Sequence, residues 1–315
     1  MINIIISFIL ISIVIVINGA TDAANAIISG VSTKTLSYKK AILVASVFNF
    51  LGVIIMTTFN KNVVITIFNI VEFDKTYAII ALTSSLLSII IWTTIAWYFG
   101  IPTSESHALI AGISGAGVAV SNNLNCINIE SWIKVIMGLI ISLSLGILVG
   151  YFIYIIRKKN TYRTMVFSTA FISFMHGAQD GQKFIGLYLL VLSVNNLVYS
   201  NILVWLMILS SILMGFGTLI GGKRIVDKMG SELIKLDLRQ GIASDISTSL
   251  VLLFTTLFGI PISTTHVKMT SIMGVGMAKK NKLNISVIKQ LILTWLLTFP
   301  GCGIISFLLT KVLIK

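Results

Sequence analysis

Two segments of this chain are near-copies of each other, and each one breaks a helix inside strongly hydrophobic sequence. They read FGIPTSESHALIAGISGAGVA over residues 99–119 and FGIPISTTHVKMTSIMGVGMA over residues 258–278. Each has a Gly-x-Pro break, then a run of hydroxyl side chains, then a glycine-rich apolar helix. Backbone that leaves a helix at membrane depth is tolerated only where it is buried in protein or lines a cavity. Matching breaks in two halves therefore predict a binding site between the halves.

The composition agrees with a membrane location. Hydrophobic residues make up 56% of the 315 residues, charged residues only 10%, and the mean hydropathy is +1.00. Soluble domains carry about 25% charged residues. The apolar runs have the length of helices rather than of barrel strands, so we expect an all-α polytopic membrane protein. The net charge of +13 comes from short loops between these runs, which indicates membrane topology and not a nucleic-acid partner.

Two of the apolar runs are too short to span a bilayer by themselves. The segments 104–120 and 264–278 follow the two breaks directly, so each is predicted to be the return arm of a re-entrant hairpin, with tips near 102–107 and 261–266. Residues 1–17 lack a basic start and a small-x-small cleavage site, and are predicted to begin the first span rather than to be a signal peptide. The full set of apolar runs is 2–29, 41–59, 76–98, 104–120, 132–156, 164–192, 200–221, 242–258, 264–278 and 286–312.

Loop charge favours re-entrant hairpins over full crossings. If both termini lie on the outer side of the cell membrane, 16 basic residues are in loops on the inner side and 4 are on the outer side. This is the bias of the positive-inside rule. If both hairpins crossed fully, the basic loop 157–163 would lie outside while 34–40 stayed inside. The inside set is Lys34, Lys39, Lys40, Arg157, Lys158, Lys159, Arg163, Lys223, Arg224, Lys228, Lys235, Arg239, Lys279, Lys280, Lys282 and Lys289, and the outside set is Lys61, Lys75, Lys311 and Lys315.

The duplication extends beyond the hairpins. NGATDAANA at residues 18–26 precedes the first hairpin, and HGAQDGQKF at 176–184 precedes the second. Under the topology above, the helices that carry these motifs run in opposite directions through the membrane. We therefore expect two inverted repeats, residues 1–156 and 157–315, around a site near the midplane.

Asp22 and Asp180 are the strongest candidates for function, because a carboxylate in a spanning segment is costly without a partner or a role. The adjacent small residues, such as Gly19 and Gly177, would allow local unwinding. A carboxylate with unwound carbonyls and an amide forms an oxygen cage that suits an alkali cation, so both aspartates are candidate Na⁺ ligands, with Asn25 and Gln182 as amide partners. The alternative is a pair of aspartates that are hydrogen-bonded for packing only.

The hydroxyls at the tips are candidate ligands for an oxyanion. They precede or open a helix, whose free N–H groups and positive dipole end favour an anion. The alternative for any one of them is ordinary N-capping. These candidates are Ser104, Ser106, Ser263, Thr264 and Thr265.

Several other polar residues near the motifs have roles that the sequence leaves open. Glu105 faces away, pairs with Lys183 or Lys268, or carries a proton. His107 and His266 orient tip hydroxyls or cap the return helices, since their spacing gives no support for metal binding. Lys183 stands where Asn25 stands in the first half; it replaces one bound ion, attracts the anion, or snorkels, and Lys268 is expected to snorkel. Asp245 is a further intramembrane carboxylate without an assigned role.

Together these motifs resemble the inorganic phosphate transporter (PiT) family. That family shows GANDxANA, HGANDxQK and a Pro-x-Ser-x-Ser/Thr-His tip in each half, where this chain reads GATDAANA, HGAQDGQK, PTSESH and PISTTH. The resemblance implies phosphate import by an elevator-like or rocking cycle driven by Na⁺ or H⁺, often in a homodimer. It also implies coupling ions at Asp22, Asn25, Asp180 and Gln182, and the anion among the tip hydroxyls.

Two departures from the family pattern bear on specificity. Thr21 and Gln179 stand where the family usually has Asn beside the Asp, and they are candidate modulators of the ion and of the anion. Some members of the superfamily are thought to move sulfate, which stays an alternative substrate. The short loop 157–163 replaces the long central loop of eukaryotic members, so the resemblance is to a bacterial member.

Among functional classes, a secondary transporter without a cofactor best explains the duplicated motifs. An intramembrane Ser-His-Asp hydrolase would need one site only, so the protein is predicted not to be an enzyme. An anion channel is a further alternative, and it would need no coupled ion.

Overall fold

The structure is a computed structural model of the whole chain, and it describes residues 2–73, 76–99, 103–157, 160–198, 201–221, 223, 226 and 233–314. The start of the first hairpin tip, residues 100–102, lies outside the described residues. So do six of the basic residues that were assigned to the two sides of the membrane: Lys75, Lys158, Lys159, Arg224, Lys228 and Lys315.

Helices account for most of the described residues, and an isolated antiparallel bridge joins Val71 to Ile127. The helix bounds follow the predicted apolar runs closely, and one short helix between the second and third runs was not predicted. The helices are α1 Ile2–Ser32, α2 Tyr38–Phe59, α3 Asn62–Phe68, α4 Ala78–Tyr98, α5 Glu105–Ser121, α6 Ile129–Ile156, α7 Tyr162–Val194, α8 Ile202–Ile220, α9 Leu238–Leu257, α10 Thr264–Ala278 and α11 Ile285–Ile314.

In the described part of the chain, six helices are long and apolar enough to cross a membrane. They are α1, α2, α4, α6, α8 and α11. The expectation of a multi-pass helical membrane protein is thereby confirmed. By length and composition, α4, the expected first arm of a hairpin, is among the six, whereas α7 falls outside the set although it has 33 residues. The polar segment 176–183 lies inside α7 and lowers its hydropathy.

The expected unwinding of the helices beside the two aspartates is not observed. Both α1 and α7 continue as α-helix through their motifs. The small residues instead permit close helix packing: a Cβ atom at Gly19 would lie 2.6 Å from Met214 O on α8, and one at Gly177 would lie 2.1 Å from Asn49 O on α2. Such approaches are available only to glycine, and they explain the motif without a break in the helix.

The two halves of the chain interlock. α5 packs on α11 and α10 packs on α6, so α5 and α10 each contact the last helix of the other half. Likewise α1 packs on α8, and α7 packs on α2. Since α1 corresponds to α7, α2 to α8, α5 to α10 and α6 to α11, exchange of the halves leaves this set of packing partners unchanged.

The two helix pairs α4–α5 and α9–α10 open toward different ends of the bundle. The start of α9 and the end of α10 are joined by the ion pair of Asp237 with Lys279, whose N–O distance is 2.7 Å. Close by, Arg239 donates to Tyr154 O at the end of α6. The connections on either side of α4–α5 meet at the Val71–Ile127 bridge.

The contacts of α1 show that these are different ends. Ser7, near the start of α1, lies 3.4 Å from Thr83 of α4, whereas Ser29, near its end, lies 3.2 Å from Ser244 of α9. The starts of α4 and α9 therefore lie toward opposite ends of α1.

Candidate functional site

The two motif aspartates lie beside each other in the core although they belong to different halves. Asn18 Nδ2 donates to Asp22 Oδ2 at 3.3 Å and to Asp180 Oδ2 at 3.4 Å. His176 Nε2 lies 3.1 Å from Asp180 Oδ2 and 3.9 Å from Asp22 Oδ2. Asn18 and His176 occupy the same position in the two motifs, four residues before each aspartate, so equivalent residues join the two carboxylates.

Asp22 is surrounded by neutral donors. Asn25 Nδ2 donates to Oδ1 at 3.0 Å, and the hydroxyls of Thr264 and Thr265 donate to Oδ2 at 3.2 Å and to Oδ1 at 3.1 Å. The amide oxygens of Asn18 and Asn25, whose Nδ2 groups donate to Asp22, are buried and have no hydrogen-bond partner among the described residues. A buried acceptor without a partner is costly, which makes this cluster of oxygens suited to a cation.

Asp180 has a different partner, the ammonium group of Lys183. Lys183 Nζ lies 2.5 Å from Asp180 Oδ1 and 2.6 Å from Ile262 O, and it also donates to Ser106 Oγ. The sequence reading placed Gln182 beside Asp180. In the structure Gln182 Nε2 donates to Asn60 O instead. Gln182 precedes Lys183 by one residue on the helix, so its side chain points away from the aspartate and toward the α2–α3 connection.

The tips of the two helix pairs meet at this cluster. Ser106 Oγ donates to Ile262 O at 3.1 Å. The rings of His107 and His266 contact each other edge to face, with centroids 4.7 Å apart, and pack on Phe299 and Trp295 of α11. The ring nitrogens of both histidines have no hydrogen-bond partner in the described part of the chain, so the rings do not orient the tip hydroxyls.

Two of the five tip hydroxyls are N-caps. Ser104 Oγ accepts from His107 N at 3.2 Å, and Ser263 Oγ accepts from His266 N at 3.3 Å. For these two serines the N-capping interpretation is the one that the structure supports. The first N–H groups of α5 and α10 have no partner within their helices, and both helix starts adjoin the carboxylate pair.

Glu105 and the two residues that replace the family's Asn have defined partners. Thr21 Oγ1 donates to Glu105 Oε1. The Glu105 carboxylate is buried, its Oε2 has no hydrogen-bond partner among the described residues, and it does not pair with Lys183 or Lys268. Gln179 donates to Ile260 O at 2.9 Å and accepts from Thr256 at 2.6 Å, so it fixes the backbone just before the second tip.

A second buried ion pair lies away from the tips, within α9–α10. Lys268 Nζ pairs with Asp245 Oδ1 and donates to Ser29 at 2.7 Å and to Ser244 at 3.1 Å, and Ser168 donates to the other oxygen of Asp245. The expectation that Lys268 snorkels is wrong, since the side chain is fully buried and all three of its protons have acceptors.

The geometry defines a class of protein. Two buried carboxylates, two helix starts and a ring of hydroxyls converge at the contact between the halves of a polytopic helical membrane protein. Asp22, His176 and Asp180 each offer a ligand atom within 4.8 Å of the others. Such convergence of broken helices and charged side chains within the membrane is typical of secondary transporters.

The comparisons with known proteins agree with this class, and the chain belongs to the phosphate transporter family. The family's model matches residues 18–165 and again 159–306, and each match contains one aspartate motif and one tip. The chain is 34% identical to a probable low-affinity inorganic phosphate transporter of Bacillus subtilis (strain 168), which covers 90% of this chain and 89% of that protein. It is 31% identical to a probable low-affinity inorganic phosphate transporter of Rhizobium meliloti (strain 1021), with 93% and 91% covered.

Among solved structures, the chain is similar to one described as the sodium-dependent phosphate transporter. The TM-score is 0.87 at 23% identity, with 100% of this chain and 99% of the other covered, so the two share a fold. The predictions of a phosphate transporter family member and of a protein that is not an enzyme are confirmed. Asn18 and His176 are site residues that the sequence analysis did not assign; their matching positions, four residues before each aspartate, could have identified them.

Proposed function

We propose that this protein imports inorganic phosphate by secondary active transport, driven by a gradient of Na⁺ or H⁺. The observation that carries the proposal is the contact of each half's carboxylate with the tip of the other half. Asp22 of α1 accepts from Thr265 of α10, and Asp180 of α7 is joined through Lys183 to Ser106 of α5. A cation at the carboxylates and an anion at the helix starts would share ligands, which is how binding of one can depend on the other.

The coupling cation is assigned to Asp22. Its neighbours are oxygen donors of the kind that hard cations prefer: the hydroxyls of Thr264 and Thr265 and the partnerless amide oxygens of Asn18 and Asn25. This set favours Na⁺, and the similar fold described as sodium-dependent supports the same ion. Protonation of Asp22 is the alternative, in which H⁺ drives uptake.

The phosphate is assigned to the space between the starts of α5 and α10. There the helix N-termini supply free N–H groups, and Ser106, Thr264 and Thr265 supply side-chain hydroxyls. Lys183 Nζ, which donates to Ser106, adds positive charge beside them. Ser104 and Ser263, which cap the same helices, would hold this arrangement rather than contact the anion. At neutral pH phosphate retains a proton and can donate to an acceptor such as Glu105, whereas sulfate cannot; this favours phosphate over sulfate.

The proposed membrane arrangement has inverted repeats with α4–α5 and α9–α10 as re-entrant hairpins. Two observations support it. The packing partners stay the same when the two halves are exchanged, and the α4–α5 and α9–α10 pairs start and end at different ends of the bundle. The end of the bundle that carries Arg239 and Lys279 is assigned to the cytoplasm, because basic residues concentrate there. Both termini are then outside, and the family resemblance supports a homodimer.

Uptake by proteoliposomes that contain Asp22→Asn or Asp180→Asn tests this proposal. Each change keeps the side-chain volume and removes the negative charge, so we expect gradient-driven phosphate accumulation to be lost while the protein remains folded. Asp237→Asn is the matched control, because Asp237 is a partly exposed carboxylate paired with Lys279 far from the tips. Accumulation at the wild-type level in both site variants would refute the assignment. Equilibration by the wild-type protein without accumulation would indicate a channel.

A further inference from the structure

Three residues on one side of the site correspond by repeat position to three on the other. Asp22, Asn25 and Thr265 form one set, and Asp180, Lys183 and Ser106 form the other. The sets differ in one chemical respect, which is that an amide in the first set is replaced by an ammonium group in the second. Each set is built in the same way, from a motif helix of one half and the tip of the other half.

We infer that the Lys183 ammonium group is a permanent occupant of the second cation site, so that the transporter exchanges one coupling cation per phosphate, at Asp22. This inference rests on the proposed function and adds its stoichiometry. It also excludes Gln182 from the ion ligands, because its amide donates to Asn60 O.

The contacts of Lys183 are those of a bound cation. Its Nζ reaches a carboxylate oxygen of Asp180, the carbonyl oxygen of Ile262 and the hydroxyl of Ser106, which are three of the oxygen types that ligate alkali ions. An ammonium group has three protons, and all three are used here. The side chain is 1% exposed, so it does not snorkel to an interface.

The charges of the two sets agree with the same stoichiometry. Glu105, the third buried carboxylate of the site, accepts from Thr21 and belongs to neither set. Lys183 neutralises Asp180, and a buried carboxylate requires such compensation. Asp22 receives only neutral donors at hydrogen-bond distance, and the nearest basic group, His176 Nε2, is 3.9 Å away and lies closer to Asp180. The amide oxygen of Asn25, in the Asp22 set, has no hydrogen-bond partner among the described residues, and neither has that of Asn18, which donates to both aspartates. One set therefore has its cation built in, and the other has ligands for a cation from solution.

The limit of accumulation measures the number of coupled ions. Proteoliposomes are given a tenfold gradient of the cation that drives uptake, with the membrane potential held at zero, and the final concentration ratio of the transported phosphate species is read. One ion per phosphate sets this ratio at about tenfold and two ions set it at about a hundredfold, because each ion contributes its full gradient free energy. We expect the wild-type ratio to stop at about tenfold. A wild-type ratio clearly above tenfold overturns the inference.

The variant Lys183→Asn installs the first set's amide in the second set. We expect it to admit a second cation, so that its ratio rises above tenfold and its cation dependence becomes steeper. Lys289→Asn is the control, since Lys289 is exposed and distant from the tips, and it should keep the wild-type ratio. An active Lys183→Asn protein that keeps the wild-type ratio and cation dependence contradicts the inference.

Binding of ²²Na⁺ to the purified proteins gives a readout that does not need transport. If Na⁺ is the cation that drives uptake, we expect Lys183→Asn to bind one more Na⁺ per chain than the wild-type protein does, and equal binding by the two proteins then overturns the inference. Failure of the proposed function would look different, because then no cation gradient would drive accumulation by the wild-type protein at all.

Discussion

Thr265 of α10 donates to Asp22 of α1 at 3.1 Å, although 243 residues separate the two in sequence. The contact joins the motif helix of one half to the hairpin tip of the other. A cation at Asp22 would therefore bind the tip of α10 to α1, and its departure would free the tip to move. A ligand that binds one arrangement better than another shifts the population toward it, which gives a direct physical route for coupling.

The tip hydroxyls divide into ligands and caps, and the two groups should respond differently to mutation. Ser106→Ala and Thr265→Val remove donors at the site, so each should raise the KM for phosphate by about tenfold, the effect of losing one charge-assisted hydrogen bond. Ser104→Ala and Ser263→Ala remove N-caps, so each should lower stability by about 1 kcal/mol with a smaller change in KM. Uptake kinetics and thermal unfolding of the four variants separate these outcomes. Equal effects on KM in both pairs would contradict the division.

The Lys268–Asp245 pair should be destabilised by removal of either partner and not by removal of both. Lys268→Leu alone leaves a buried carboxylate without compensation, which costs about 3–5 kcal/mol. The corresponding positions of the first half are Leu109 and Leu86, which are buried in one hydrophobic cluster, so the double variant Lys268→Leu with Asp245→Leu reproduces side chains that the first half already has. We expect the double variant to unfold at a higher temperature than either single variant. A double variant whose loss equals the sum of the single losses would show that the pair is not coupled.

Close approach of α5 to α11 should make Gly115 intolerant of even a methyl group. A Cβ there would lie 2.2 Å from Gly303 O, a backbone atom that cannot move aside cheaply. Gly115→Ala should therefore lower stability by about 1–3 kcal/mol, the range for overpacking. Gly215→Ala is the control, since its nearest neighbour would be 3.5 Å away. Equal unfolding temperatures for the two variants would contradict the packing of α5 on α11.

The proposed topology predicts which loops an impermeant thiol reagent reaches. In a protein whose Cys126 and Cys302 are replaced by Ala, Asn125→Cys should react with an impermeant maleimide in intact cells. Lys282→Cys should react only after the membrane is permeabilised, because it belongs to the basic end of the bundle. Both positions are exposed. The opposite labelling pattern would invert the assigned orientation.

The sequence was sufficient to predict the helices other than α3 and the meeting of the two motifs, because both depend on patterns that recur in the chain. Hydrophobic runs determine where helices form, and duplication makes Asp22 and Asp180 equivalent before any contact is known. What the pattern left open were the contacts of individual side chains. The partner of Asp180 is Lys183 and not Gln182, because helix rotation and the position of Ile262 O determine which side chain reaches it.

Small residues illustrate the same limit. Gly19 and Gly177 suggested unwinding, whereas their role is to admit Met214 O and Asn49 O of neighbouring helices. A glycine in a membrane helix can permit either local unwinding or close packing, and only the position of the neighbouring backbone distinguishes the two roles. The mutual packing of His107 and His266 likewise depends on how the two tips meet, which no local spacing encodes.

Uptake of radiolabelled phosphate and sulfate, offered side by side to proteoliposomes under an inward Na⁺ gradient and then under an inward H⁺ gradient, tests the central claim most directly. The account predicts that phosphate accumulates above its external concentration under one of these gradients, that the effective gradient identifies the coupling ion, and that sulfate does not compete at equal concentration. Accumulation of sulfate without phosphate, or equilibration of either anion without accumulation, would contradict it.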